Sequence, residues 1–434
     1  MTTPPSPSSQ EPPLHSRILK LAAPVVLVGV LATACGKDDA KPSAAGDTTT
    51  TAADSMGGAT GVDSKASELR AGLTAMLQEH VYLAGAAIAT AVGAGGDMDN
   101  VAVKSAVSTL DANSVALSDA VGSVYGKEAG DQFLALWRKH IGFFVDYTLG
   151  GATGDKAKQD TAKAALDKYR QDFGAFLESA TGGAGGLTQQ AVADELQMHV
   201  SSLLVAVDAV LTKDPSVYSK LKDAASHMPM TAKALAGSIA EQKKLDGSIT
   251  APSSELRSGL TALLQEHVYL AGLAINQAVA DGGDLTTPAT NDAVGALDAN
   301  SVALSDAIAS VYGKDAGAQF LELWRKHIGF FVDYTIGGAT GDKAKQDAAK
   351  SSLDKYRTDF GAFVESATKG KLTVDQVAAE LQKHVDSLIT AIDAVLAKDP
   401  SVFPKLRDAA GHMPMTADAL AGAIVAANPD KFSS

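Results

Sequence analysis

LWRKHIGFFVDYT occupies residues 136–148 and recurs without a change at 323–335. Phe133, Trp137, His140, Phe144 and Tyr147 follow steps of four and three, so they share one face of a helix. A histidine in the middle of that face points where core residues point. The neighbouring segments use the same device. Leu69, Leu73, Met76, His80, Leu83 and Ala87 form one stripe, and Val192, Leu196, His199, Leu203 and Val210 another. A third, Leu110, Asn113, Leu117, Ala120 and Val124, has an asparagine as its polar member, and His227 lies with Ala224, Thr231 and Ala234.

The duplication extends far beyond the quoted stretch. SELRAGLTAMLQEHVYLAG at 67–85 returns as SELRSGLTALLQEHVYLAG at 254–272. LDANSVALSDA is identical at 110–120 and 297–307, and HMPMTA at 227–232 and 412–417. A period this long marks a duplicated domain and not a solenoid. The polar stretch 243–253 separates the copies.

Within the first copy the apolar periodicity predicts six helical segments, near 67–93, 101–125, 128–149, 155–180, 188–213 and 216–240. Glycine-rich breaks at 93–97, 149–155 and 181–186 divide them, with Thr188 and Asp214 as expected N-caps. Pro229 should kink the sixth segment. No period-2 strand is evident, so the expected fold class is all-α: two tandem helical bundles of about six helices each. GGATGDKAK at 150–158 lacks phosphate-loop spacing and a preceding strand, and reads as a helix–helix turn.

Composition limits the function. The formal charge is −13, whereas a nucleic-acid partner needs a concentrated basic surface. Cys35 is the single cysteine, which excludes an intramolecular disulfide, a thiolate metal site and cysteine catalysis. Arg17 and Lys20 precede LAAPVVLVGVLATA, an apolar run of 14 residues, too short for a span of about 20. The run ends in Ala32-Thr33-Ala34-Cys35, which resembles a bacterial lipobox. The expected organisation is a lipoprotein signal peptide over 1–34, a disordered tether over 35–66, and bundles over 67–245 and 254–434. Lipidated Cys35 would anchor the protein to the lipid bilayer of the cell membrane on its extracytoplasmic side, on a tether reaching about 30 Å.

His80, Asn113, His140, His199 and His227 each fall near the middle of a segment, so antiparallel packing would bring them to one height. Tyr169 on the fourth segment would close the layer. The second copy repeats the set as His267, Asn300, His327, Tyr356, His384 and His412. Eight of the nine histidines belong to these two sets. Imidazoles projecting inward from facing helices are the way bundles build metal sites. Glu195 and Glu380, one turn before His199 and His384, are candidate carboxylate ligands, and Glu79 and Glu266 stand beside the first histidine. Met230 shares a face with His227, adding a thioether that favours copper. The expected cofactor is a transition metal: copper, zinc, iron or manganese. The blander reading is a polar layer that only sets helix register. Tyr82, Arg138 and Lys139 read as rim residues.

The run from Asn113 to Ile141, with Tyr125-Gly126 and Ala129-Gly130 between, recurs from Asn300 to Ile328. Together with the HM pair of the last helix and NPDKF at 428–432, it resembles a family of uncharacterised all-helical bacterial proteins. Tyr169 and Gln171 depart from that family, whose fourth helix usually offers asparagine. The resemblance implies the helical fold and the weight of the His/Asn set, and no activity. The reading is a membrane-tethered protein with two His/Asn-lined sites for a metal or small ligand. A structural or interaction module and a metal-dependent enzyme are the alternatives.

Overall fold

Side-chain caps start the helices where the sequence has polar residues ahead of apolar runs. Ser64 Oγ accepts from Ser67 N, Asn100 from Ala102 N and Val103 N, Asp155 from Lys158 N, and Thr188 from Ala191 N. The computed structural model describes residues 61–433. In the first half the helices are α1 (Lys65–Gly93), α2 (Val101–Tyr125), α3 (Lys127–Thr153), α4 (Lys156–Thr181), α5 (Gln189–Thr212), α6 (Val217–Ser226) and α7 (Met228–Lys243). The second half repeats them as α8 (Pro252–Ala280), α9 (Pro288–Tyr312), α10 (Lys314–Thr340), α11 (Lys343–Ala367), α12 (Val374–Leu396), α13 (Val402–Gly411) and α14 (Met413–Ala427), and a short α15 (Pro429–Phe432) follows. No strand occurs among the described residues, and none of their helices is long and apolar enough to cross a membrane. The fold is all-α, two similar bundle halves.

Three local expectations need correction. The sixth segment is two helices in each half, broken at His227 and His412. Proline at the second position of α7 and α14 has no N–H to donate, so a helix starts there at no cost in hydrogen bonds instead of merely bending. Asp214 does not cap α6. Its Oδ1 accepts from Ser216 N at 2.9 Å and Ser216 Oγ at 2.7 Å, closing the turn ahead of the helix. The expected tether also ends early, since Val62 and Ala66 are fully buried and α1 begins at Lys65. The signal peptide, Cys35 and most of the tether lie outside the described residues.

Helices adjacent in sequence pack side by side through short connections, and α7 returns to α1. The Ala-Gly pair of the repeated motif has a packing reason. A Cβ on Gly130 would come within 2.8 Å of the Ser118 carbonyl oxygen, so only glycine lets α2 and α3 approach this closely. Ser118 Oγ donates to the Gly130 carbonyl at 2.8 Å, and Ser305 does the same to Gly317.

The two halves meet along α1 and α8, and one apolar cluster takes residues from both. From Gln78 to Ala84 every residue of α1 is buried, because one side faces its own bundle and the other faces α8. Tyr82 and Tyr269 stack across this seam with centroids 5.4 Å apart. Tyr82 donates to Glu266 at 2.8 Å and Tyr269 to Glu79 at 3.1 Å, a near-twofold exchange. Tyr82 is thus a seam residue, 1% exposed, and not a rim residue. Arg138 sits at the edge as expected, forked onto Asp111 at 2.7 Å. The short helices cross over: Tyr218 N and Ser219 N donate to Asp292, and Arg407 Nε donates to Glu79 at 2.7 Å.

Candidate metal centre

α1, α3 and α5 each contribute one histidine to the interior of the first half. The ligand atoms of His80, His140 and His199 all lie within 4.8 Å of one another. His80 Nε2 and His140 Nε2 are 3.3 Å apart. The three rings are 1%, 2% and 5% exposed. In the second half, α8, α10 and α12 bring His267, His327 and His384 together within the same 4.8 Å, and His267 Nε2 is again 3.3 Å from His327 Nε2. These are the residues that the opening stretch and its two partner stripes single out.

An aromatic wall surrounds each triad. Trp137 lies 4.8 Å from His80 and 4.6 Å from His140 between ring centroids, and Tyr169 stacks on His140 at 5.0 Å. Phe144 meets both His140 and His199 edge-on. Tyr169 closes the layer, as the sequence suggests. The role of Trp137 is visible only in three dimensions, although its place one turn before His140 is the signal that could have found it.

This apolar enclosure holds the imidazoles neutral. Burial pushes His80 and His267 down to about 3, and His199 and His384 down to about 4. His140 and His327 lie well below the usual value for the same reason, with the neighbouring histidines adding to it. Neutral imidazole is the metal-binding form.

The other expected ligands are placed elsewhere. Asn113 is fully buried, but its amide donates to the Met76 carbonyl and to Glu79 Oε1, both at 3.0 Å. Asn300 likewise donates to the Leu263 carbonyl at 2.9 Å and Glu266 at 2.8 Å. Both amides therefore belong to the seam, because a mid-helix asparagine facing α1 or α8 finds a carboxylate there. Glu195 accepts from Thr231 at 2.9 Å, and Glu380 is paired with Lys383 at 2.8 Å. His227 and His412 are half-buried at the helix break, outside the triads but close enough to lower His199 and His384.

Two cavities flank His267 along α8. One of about 60 Å³ lies toward its N-terminal half, lined by Leu264, Trp324, Phe360, His384 and Met413 and reaching Glu380 and Thr416. The other, about 80 Å³, lies toward its C-terminal half among Ala271, Ile275, Leu297, Phe331 and Leu388.

The donor set fits a transition metal. An ion bound to nitrogens at roughly 2.0–2.1 Å in tetrahedral or trigonal geometry needs them about 3.3–3.6 Å apart. The His80–His140 pair stands at that spacing, and the His199 donor, within 4.8 Å of both, would have to move closer by about 1 Å. Both nitrogens of His199 are buried with no hydrogen-bond partner, as is Nδ1 of His80. An unpartnered imidazole nitrogen of His199 at the meeting point has a lone pair free for a metal ion. The unpaired outer nitrogen of His80 departs from common metal centres, where that N–H is held by a neighbouring acceptor. Neither a protein-family model, a curated protein nor a solved structure matches the chain.

Proposed function

We propose that the protein binds transition-metal ions, one in each triad, as a lipoprotein tethered outside the cell membrane through Cys35. The observation that carries this reading is the convergence of three buried, neutral histidines, made twice in one chain, with Nδ1 of every one of the six buried without a hydrogen-bond partner. Binding or sequestration suits the site better than catalysis. The neighbouring carboxylates Glu79, Glu195, Glu266 and Glu380 are each engaged by other side chains, and burial leaves the imidazoles themselves weakly basic, so neither makes an effective general base.

A register-setting layer is the competing reading. Such a layer should satisfy its own polar atoms, since a buried donor or acceptor left unpaired costs about 1–3 kcal/mol. The orphaned nitrogens of His199 speak against it.

Elemental analysis of the full chain from its own host should find two metal equivalents. Micromolar metal should raise the melting temperature, by the equivalent of about 2.7 kcal/mol for each site at a hundredfold excess over the dissociation constant. His80→Ala/His140→Ala/His199→Ala should halve the stoichiometry. A chain that carries no metal and responds to none would leave the histidines structural. Cys35→Ala should release the protein from membranes, and unchanged retention with normal processing would remove the lipoprotein claim.

A further inference from the structure

The triads differ from most biological metal sites in what they lack. Each group of converging ligands contains three histidines and, among the described residues, no carboxylate. Any ion held there keeps its whole charge inside an aromatic and aliphatic enclosure. The Born cost of burying an ion rises with the square of its charge, so a divalent cation costs about four times a monovalent one. Zinc and the other divalent ions offset that cost with an anionic ligand or a bound water, and prefer four or more donors.

A bound water would need polar partners of its own, two to four in a typical buried site. The larger cavity beside His267 offers little. Of its lining, Thr335 already donates to the Phe331 carbonyl at 2.8 Å, and most of the remainder is aliphatic or aromatic. In the smaller cavity Glu380 is committed to Lys383 and Thr416 to the His412 carbonyl, and the indole N–H of Trp324 is an unpartnered donor, fewer than the two to four partners a water takes. The surroundings favour an ion content with three nitrogen donors. They also place an indole ring within 5 Å of two of the ligands, tilted against one and at a steep angle to the other.

From donor number, absent counter-charge and dry walls, we infer that each triad is a site for Cu(I), held three-coordinate by imidazole nitrogen and protected from water. This rests on the metal-binding reading and narrows it. The half-buried His412, followed by Met415, 60% exposed, stands beside the end of the smaller cavity, and His227 with Met230, 54% exposed, holds the same place in the first half. An exposed thioether one turn from an imidazole is the kind of soft surface contact over which Cu(I) could be handed inward.

The test is a competition for Cu(I) against the chromophoric chelator bicinchoninate, run anaerobically on the full chain, beside a parallel titration with Zn(II) and Co(II). The expected result is two Cu(I) withdrawn per chain, bound at least about a hundredfold more tightly than either divalent ion. X-ray absorption on the loaded wild type should show three nitrogen neighbours and no sulfur. His140→Phe with His327→Phe should abolish both sites, with circular dichroism checking that the chain still folds. If Zn(II) or Co(II) fills two sites as tightly as Cu(I), the metal reading stands and the Cu(I) inference falls. A sulfur neighbour would mean that a thioether, either buried Met413 beside the triad or exposed Met415, shares the ion, and would overturn the three-nitrogen assignment. If no metal binds, both readings fail together.

Discussion

Two polar layers share helix α1, and they are built on opposite terms. Glu79 turns toward the other half and is satisfied by Asn113, Tyr269 and Arg407. His80, the next residue, turns into its own bundle, where its Nδ1 meets no partner and its Nε2 meets only another imidazole. The seam has donors for its carboxylate oxygens, whereas the triad leaves nitrogens over. A polar layer that exists to hold helices together is expected to look like the seam. The triad does not.

The largest effect that separates the two layers is acid. All six triad histidines have folded values below the 6.5 of an unfolded chain, because burial disfavours the charged ring. The unfolded state therefore binds more protons below 6.5. Stability from this source is full above pH 6.5 and is lost as pH falls toward 4 and 3, at up to about 1.4 kcal/mol per unit for each histidine. Denaturation of the metal-free chain at pH 7.5 and 5 should show a loss of up to about 12 kcal/mol if all six rings respond, enough to unfold an ordinary domain. A flat profile would mean that the rings are already protonated or reached by water.

A smaller loss is expected at the seam. Glu79→Ala leaves Arg407, Tyr269 and Asn113 without their shared acceptor in a largely buried setting. Removing one partner of such an arrangement costs about 3 kcal/mol, measurable by urea denaturation at pH 7.5. A cost under about 1 kcal/mol would show that the seam is held by apolar packing alone.

The finest contrast compares two buried tyrosines. The Tyr82 phenol donates to Glu266, and burial together with that carboxylate keeps it protonated far above pH 10. Tyr82→Phe should cost about 1.5 kcal/mol, the value of a hydrogen bond to a charged group. The Tyr169 hydroxyl is buried with no partner. Tyr169→Phe should change stability by less than about 0.5 kcal/mol, or raise it slightly. Equal costs for the two would erase the distinction between a tyrosine bonded to a seam carboxylate and one left unpaired in the core, although the seam too leaves Asn113 Oδ1 and Asn300 Oδ1 without partners.

Much of the site was legible because a histidine at helical spacing among apolar residues has one direction to point. The stripes through His80, His140 and His199 predicted which residues face inward, and their mid-helix positions predicted a common height. The same rule overreached at Asn113. Its stripe also points inward, but the inward neighbour at that height is the Met76–Glu79 turn of α1 and not the triad. His227 fell outside because the helix breaks at it, and residues at a helix end lack the depth of residues at its middle. Tyr82 was misplaced for a different reason. The unbroken burial of α1 from Gln78 to Ala84 has no apolar face to detect, since the helix is enclosed on both sides.

By itself the sequence determined the helices, their order, the duplication and the inward aim of six histidines, all of which follow from spacing along one chain. Only the tertiary structure decided that three of the polar candidates in each half converge while the others serve the seam or the rim. Spacing sets the direction of a side chain relative to its own helix. Which helix it meets, and whether a partner atom waits there, depends on how α1 and α8 pack against each other, and no periodicity within a single segment records that.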